Sequence, residues 1–283
     1  MARLRDLLRG RVPNHLLKLV PRSFDIIGSK SGSVVVIELP KELRPYSVEV
    51  AKAITSIHRN VKSVLVKASE RFGEYRLRRL ELVYGDEDTE VVHREHGCVF
   101  KLDPRKVYFS PREATERMRI AKMVSPGESV LVMFSGVCPY PITIAKTQPL
   151  VEVVYGVELN PEAHRYCVEN VRLNKIEGKV VPIPGDVREV CPTMEGMFDR
   201  VVMPLPKGAH MFLDLAVKCL RDRGFIHFYH WAREPDLFSE AEELLRSEAE
   251  RQGYTAKITC RRRVLPYAPR VWKVRVDALL KRL

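Results

Sequence analysis

The chain has 283 residues and a formal net charge of +12, from 48 Lys and Arg against 36 Asp and Glu. This length accommodates two domains that each bury a core. The positive balance favours a polyanionic partner, although a solvated Lys and Arg surface of the hyperthermophile kind gives the same count. No apolar run approaches the length of a membrane helix and the start MARLRDLLRGRVPNHL has no continuous apolar h-region, so neither a membrane span nor a signal peptide is expected. Six cysteines (Cys98, Cys138, Cys167, Cys191, Cys219, Cys260) are scattered without a C-x-x-C pair or a His at metal spacing. No metal site is therefore expected, and the thiols read as reduced and cytosolic, with the reservation that intracellular disulfides occur in hyperthermophiles.

In chain order, Phe24 to Leu39 predicts two strands around the turn Gly28-Ser29-Lys30-Ser31-Gly32. Ser47 to Ser56 predicts a helix with Val48, Ala51 and Ile54 inward, and Val61 to Lys67 a further strand. Val83 to Thr89 reads as a turn, followed by strands at Glu90 to Arg94 and Cys98 to Leu102. Together these define a small α+β domain over residues 1–110 with no internal repeat. Its most basic motif is Gly73-Glu74-Tyr75-Arg76-Leu77-Arg78-Arg79. Guanidinium groups pair bidentately with phosphate and a tyrosine stacks on an unpaired base, but a charge run is more often a solvated face.

The second domain, residues 111–283, opens on Ser110-Pro111, an N-cap followed by a proline at the first helical position, with Glu113 completing a capping box. Glu113 is thus read as structural. Glu116 lies about one turn further on; an exposed helical Glu followed by Arg is, by itself, more often a surface pair than a base.

The stretch Val130 to Pro161, VLVMFSGVCPYPITIAKTQPLVEVVYGVELNP, reads as strand, tight turn, helix, strand and acid, a nucleotide-binding βαβ unit. Glu158 closes the second strand, where a carboxylate accepts hydrogen bonds from both hydroxyls of a ribose. The turn lacks the full G-x-G-x-x-G fingerprint, leaving little room for a pyrophosphate. A ribose without phosphates fits better, which points to S-adenosylmethionine. Lys179 to Pro184 and Phe198 to Met203 predict two more strands, ending in Gly185-Asp186 and Pro204-Leu205-Pro206. In a doubly wound sheet, Glu158, Asp186 and that proline loop converge on one crevice, with Asp186 placed to accept from an adenine amino group or to act only as a helix N-cap.

The segments YFSPREATERMR (Tyr108 to Arg119), MFSGVCPYPITIAK, VELNPEAHRYCVENVRLNK, GDVREV, DRVVMPLPKGAHMFLDLA, RGFIHFYH and YAPR resemble, in order and spacing, the archaeal tRNA guanine-37 N1-methyltransferase family, over roughly residue 20 to the end. The resemblance implies an α/β fold: a class I, Rossmann-like, S-adenosylmethionine-dependent methyltransferase domain behind the smaller α+β domain. Its implied partner is the tRNA anticodon stem-loop, whose purine 3′ of the anticodon is modified. Close relatives methylate the tricyclic wyosine precursor at that position or add an aminocarboxypropyl group. Carried over to this chain, Glu116 is the general base, Arg76 steadies charge on the target base, Tyr108 helps form the base pocket and Pro204 faces the base. The implied cofactor contacts are Phe134, Gly136, Glu158, Asp186, Arg117 and Pro206. Larger family members carry a further N-terminal module, and this chain is expected to begin after it.

The sequence departs from the family pattern at four places. Val132 stands where Asp precedes Met-Phe, Cys138 replaces a glycine, Glu158 replaces the usual Asp, and Pro204-Leu205-Pro206 replaces Asn-Leu-Pro. Within the family, Glu and Pro at the last two places accompany methylation of C7 of 4-demethylwyosine. Proline removes the amide that holds a guanine edge and presents an apolar ring instead. The expected function is isowyosine formation in tRNA-Phe by a cytoplasmic, monomeric enzyme. The alternatives are guanine-37 N1 methylation, aminocarboxypropyl transfer and a tRNA-binding scaffold without chemistry. The Phe-Ser-Gly-Val-x-Pro and Ile-His-Phe-Tyr segments look like those of the methyltransferases, and His227 in the second reads as a satisfied core residue.

A +12 chain with no sequence-reading helix must hold RNA mainly by its phosphates and an extruded base. Its tRNA affinity is therefore expected to fall by about tenfold or more between about 50 and 200 mM salt, checked by titration at several salt concentrations.

Overall fold

The computed structural model describes residues 4–73, 75 and 77–283, and the chain divides into two compact units, Met1–Pro111 and Arg112–Leu283. In the first, a short helix α1 (Leu4–Leu7) precedes the hairpin of β1 (Asp25–Ser29) and β2 (Gly32–Ile37). Gly28 sits at φ +136°, and a Cβ there would come within 2.4 Å of the Gly32 carbonyl oxygen, so this turn requires glycine. Helix α2 (Ser47–Ile57) buries Val50, Ala51, Ala53 and Ile54 and leads to β3 (Val61–Phe72), which pairs parallel with β2 and antiparallel with β4 (Leu77–Gly85).

The order β1-β2-β3-β4 is completed by a separate hairpin, β5 (Val91–Glu95) and β6 (Cys98–Leu102). The turn expected at Val83 to Thr89 begins only after Gly85. Arg78, Arg79 and Glu81 on β4 hide a strand that the β3 ladder holds in place.

The second unit begins with α3 (Ala114–Ala121) and continues as β7 (Ser129–Val132), α4 (Pro139–Thr147), β8 (Val153–Glu158), α5 (Pro161–Leu173) and β9 (Val180–Pro184). It then runs through α6 (Val187–Val190), β10 (Phe198–Met203), α7 (Leu213–Cys219), β11 (Leu220–Arg233), α8 (Ser239–Arg251), β12 (Tyr254–Ala268) and β13 (Val271–Arg282). The seven strands are ordered β12-β13-β11-β10-β7-β8-β9. All neighbours from β11 to β9 are parallel, whereas β13 is antiparallel to both of its neighbours. The chain starts in the middle at β7, steps out to β9 and returns to β10, so the order reverses between β7 and β10. A crevice opens there at the carboxyl ends of the strands. On one face, Leu131, Val201, Met203, Ile226 and Phe228 form a core with α7 and α8.

The other face is built differently. Arg200 of β10, His227 of β11 and Arg275 and Asp277 of β13 are almost wholly buried and charged or polar. Arg200 pairs with Glu128 at 2.7 Å and donates from Nη1 to His227 Nε2 at 2.6 Å. A guanidinium cannot accept, so Nε2 must, and the ring proton lies on Nδ1, which donates to Asp277 Oδ1 at 2.7 Å. Arg275 donates to Asp277 Oδ2 at 2.9 Å and to Glu116 Oε1. Tyr229 Oη also donates to Glu116 Oε1, at 2.8 Å. The reading of His227 as a satisfied core residue agrees with this geometry. Burial first, and then the Arg200 and Arg275 charges, push its pKa below the ordinary value, against the opposing pull of Asp277.

One cysteine reading is overturned. Cys138 and Cys167 form a disulfide with Cα atoms 4.9 Å apart, while Cys98, Cys191, Cys219 and Cys260 are free thiols. The partners are 29 residues apart in sequence and meet because α5 packs beside the start of α4, a proximity that spacing does not reveal.

Because His227 is neutral in the fold and binds its proton more readily once unfolded, stability is full above about pH 6.5 and declines as pH falls below it. Denaturant unfolding at pH 7.5 and 5.5 should show lower stability at the lower pH, with this residue contributing to the loss. His227→Gln should be less stable at both pH values but lack that increment.

Candidate active site

The loop between β7 and α4 is the floor of the crevice. Phe134, Gly136 and Cys138 all take left-handed conformations, with φ of +55°, +58° and +64°. Two of the three are not glycine, so the turn is held by its surroundings rather than by local preference. Ser135 N–H donates to the Val157 carbonyl at 2.9 Å, and Cys138 is tied to α5 by the disulfide. Gly156 of β8 lies beneath; a Cβ there would stand 3.1 Å from Ser135 Oγ and 3.2 Å from Pro141 Cγ.

Glu158 ends β8 and is half-buried. Its Oε2 accepts from Gly136 N–H at 2.7 Å and its Oε1 from Asn160 N–H at 2.8 Å. Burial raises its pKa, and the backbone N–H groups of Asn160, Gly136 and Leu159 pull it back. Each oxygen retains a lone pair for a ribose hydroxyl, so the carboxylate both anchors the loop and presents a diol acceptor. Asn160 caps α5 by accepting from Glu162 N–H at 3.0 Å.

Asp186 is the N-cap of α6, accepting from Arg188 N–H at 2.8 Å through Oδ1; its other oxygen lies 3.8 Å from the Arg188 guanidinium. The capping role is thus present, and it leaves Oδ2 outside the cap bond. Phe134 meets Phe212 edge-on, with ring centroids 5.1 Å apart, and Arg188 covers the other ring at 4.3 Å. Pro204 and Pro206 follow β10 and are half-buried. Phe134, Gly136, Glu158, Asp186 and the Pro204 to Pro206 loop are therefore all placed at one end of the sheet, and their donor set fits an adenosine-type cofactor.

The structure departs from two expectations about α3. The segment Pro111–Glu113 is a 3-10 turn, α3 proper starts at Ala114, and Glu113 at its N-cap makes no side-chain capping bond. Glu113 is instead buried and accepts from Lys273 Nζ at 2.9 Å, since a cation on β13 offers a buried carboxylate more than a neutral amide does. Glu116, which by itself reads as an exposed surface pair with Arg117 and which the resemblance makes the general base, is not an exposed surface residue. It is 2% exposed, and its oxygens are taken by Arg275, Tyr229 and, at 3.1 Å, Arg119.

Arg117 is buried, and its charge opposes the upward shift that burial, Glu113 and Glu116 impose on Tyr140. Tyr108 is an exposed residue of the first unit, and Arg76 lies outside the described residues. Tyr229, Lys273, Arg275 and Asp277 were missed by sequence reasoning. The only signal for the last three is a charged residue at every second position of VWKVRVDALL, a pattern that ordinarily marks a solvated strand face.

A cavity of about 700 Å³ opens at the opposite, amino-terminal end of β11, lined in part by Lys218, Arg221, Asp222, Tyr254 and Arg282. Two of its arginines are paired, Arg221 with Asp199 and Arg282 with Asp222. Among the described residues no cluster forms a metal site and no helix is long and apolar enough to cross a membrane.

A seven-stranded sheet with one antiparallel strand, an acid at the end of its second parallel strand and a bent loop against that acid define a class I S-adenosylmethionine-dependent methyltransferase. The profile of the TRM5/TYW2 methyltransferase domain matches residues 91–257, and that of the TYW2 N-terminal domain matches residues 4–89. The chain belongs to this TRM5/TYW2 methyltransferase family. It is 44% identical to tRNA (guanine(37)-N(1))-methyltransferase Trm5b of Pyrococcus abyssi over 94% of this chain and 77% of that one. The crystal structure of that protein superposes with a TM-score of 0.85, covering 95% and 78% of the two chains. Identity to tRNA 4-demethylwyosine(37)-methyltransferase Taw21 of Saccharolobus solfataricus is 36% over 70% of this chain and 75% of the relative. The structure of Pyrococcus horikoshii TYW2 in complex with MeSAdo gives a TM-score of 0.82 at 31% identity, covering 99% of each chain.

Glu158→Ala frees the Gly136 N–H and removes the carboxylate that, if it holds the cofactor, accepts from two ribose hydroxyls. Calorimetric titration should show cofactor binding weakened by about 2 to 4 kcal/mol. Wild-type affinity in the folded variant would remove Glu158 from the site. Because the useful form is the carboxylate and burial raises its pKa, affinity should be lost as pH falls, beginning at a higher pH than for a solvated Glu.

Proposed function

We propose that the chain methylates the purine at position 37 of tRNA, at C7 of 4-demethylwyosine in tRNA-Phe, giving isowyosine. The observation that carries this reading is the Pro204-Leu205-Pro206 loop, half-buried at the carboxyl end of β10 beside Glu158 and the β7 to α4 loop. Proline there has no N–H and no polar side chain, so the base-facing wall is apolar and suits a tricycle attacking through carbon. The similarity to Taw21 supports it.

The bound cofactor supplies an electrophilic methyl group on sulfur. Glu158 holds its ribose, Asp186 its adenine edge, and Phe134 and Pro206 exclude water around it. Arg117, buried behind the loop, is assigned to its carboxylate end. Proton removal after methyl transfer is assigned to Glu116. Its Oε1 stays with Arg275 and Tyr229, while Oε2 is freed when Arg119, whose side chain is 41% exposed, swings away. Arg76 and Tyr108 are assigned to the target base. The reading carries with it a cytoplasmic, monomeric enzyme acting on the anticodon stem-loop.

Guanine-37 N1 methylation is the second reading, favoured by the 44% identity to Trm5b. Aminocarboxypropyl transfer is favoured by the match to the TYW2 N-terminal domain and by 36% identity to the Methanocaldococcus jannaschii tRNA(Phe) (4-demethylwyosine(37)-C(7)) aminocarboxypropyltransferase over 90% of this chain and 98% of that one. A scaffold without chemistry is disfavoured by the family, and Glu158, whose two oxygens are fixed by the N–H groups of Gly136 and Asn160, supports the enzymatic reading. Mass spectrometry of nucleosides after incubation with tRNA-Phe carrying guanine or 4-demethylwyosine at position 37 separates the readings: efficient modification of guanine with none of 4-demethylwyosine overturns the first.

Pro204→Asn restores an amide that donates to and accepts from a guanine edge. It should shift the ratio of kcat/KM toward guanine-37 by about tenfold, or roughly 1.4 kcal/mol of differential transition-state binding, with cofactor affinity unchanged. Single-substrate kinetics on the two tRNAs checks it.

A further inference from the structure

Strand β11 outruns its parallel neighbour: β10 ends at Met203 opposite Phe228, while β11 continues to Arg233. It is accompanied by β13 up to the pair Arg233 and Val271, and β12 reaches Val271 through Ala268. The three strands thus extend beyond the carboxyl ends of the parallel strands, at the end of the sheet where Glu158, Asp186 and Pro204 lie.

The register fixes what one face of this extension carries. Trp231 stands opposite Lys273, Arg233 opposite Val271 and Arg262 opposite Arg275, and alternate residues of β13 share a face. Tyr267, 57% exposed, stacks on Trp231 with ring centroids 4.2 Å apart and planes inclined at 40°. Arg233 and Arg262 are exposed and, among the described residues, neither has a carboxylate partner; Arg270 nearby is only loosely paired, 3.9 Å from Glu234. Arginines along an edge strand discourage edge-to-edge pairing. That role does not account for an exposed Tyr267 stacked on the half-buried Trp231.

Unpaired guanidinium groups flanking a presented aromatic face are complementary to unpaired nucleic acid, with phosphates on the former and a base on the latter. We propose that this face binds an unpaired segment of RNA, one base stacking on Tyr267 over Trp231 and adjacent phosphates pairing with Arg233 and Arg262. The inference rests on the reading of tRNA as substrate, in which the anticodon loop supplies unpaired nucleotides next to the target base.

The test uses the full chain and two labelled RNAs, the tRNA-Phe anticodon stem-loop and a blunt duplex of the same stem. Their affinities are measured by fluorescence anisotropy. Tyr267→Ala should weaken stem-loop binding about tenfold, leave duplex binding unchanged and leave S-adenosylmethionine affinity unchanged, while Tyr267→Trp keeps the wild-type values. The double variant Arg233→Ala, Arg262→Ala should reduce the slope of log Kd against log salt by about 1.4, the share of two phosphates on a single strand.

Stem-loop affinity in Tyr267→Ala equal to wild type, or an equal loss on the duplex, overturns the proposal. Wild-type protein that binds neither RNA overturns the tRNA reading as well. Wild-type protein that binds and modifies the stem-loop no better than Tyr267→Ala overturns this proposal alone.

Discussion

The second unit depends on a chain of buried charges that runs across three strands and into a helix: Glu128, Arg200, His227, Asp277, Arg275 and Glu116. Ionised groups in a sheet interior cost several kcal/mol each unless every one is paired, and removing one partner from such a pair costs about 3 to 5 kcal/mol. Here the acids and bases alternate, so each cation meets an anion or the acceptor nitrogen of a neutral imidazole. Burial opposes the charge on Arg275, and Tyr229, Asp277 and Glu116 more than compensate, leaving its pKa raised. Asp277 is held below the usual carboxylate range, His227 and Arg275 prevailing over its burial. Because Glu116 belongs to α3 and Arg275 to β13, the same bonds set the position of α3 on the sheet. The residue assigned to proton removal is therefore also the one through which that helix is docked.

A similar economy governs the cofactor loop. Glu158 accepts from Gly136 and Asn160, joining the turn after β7 to the turn after β8. The Cys138 to Cys167 bond joins the start of α4 to the middle of α5. Between them these contacts hold three alternate left-handed positions, Phe134, Gly136 and Cys138, of which only the glycine has a local preference for that conformation. A rigid loop reduces the ordering needed when cofactor binds, and Cys138, where the family carries glycine, reaches the left-handed region with a covalent anchor in place of conformational freedom.

The pattern of strand and helix was legible because it follows from hydrophobic period and punctuation. The βαβ unit from Val130 to Pro161, the acid at Glu158 and the cap at Asp186 sit where periodicity and strand ends placed them. Beta strand β4 was not legible in full, since Arg78, Arg79 and Glu81 obscure its alternation and only its ladder with β3 makes it a strand. Nor was Glu113 legible: a capping box is a local signal, and a lysine 160 residues away outcompetes it.

By itself the sequence determined the class of domain, the strand that ends in Glu158, the apolar loop at Pro204 and the excess of positive charge, all properties of short segments or of composition. Only the tertiary structure decided that the charged residues of β13 face inward, that Glu116 is tied to Arg275 and Tyr229, that two of six cysteines meet, and that Trp231 and Tyr267 stack at one end of the sheet. The physical reason is common to all four. Each depends on which distant groups come within bonding distance, and alternation along a strand is the same whether its polar face meets water or a buried countercharge.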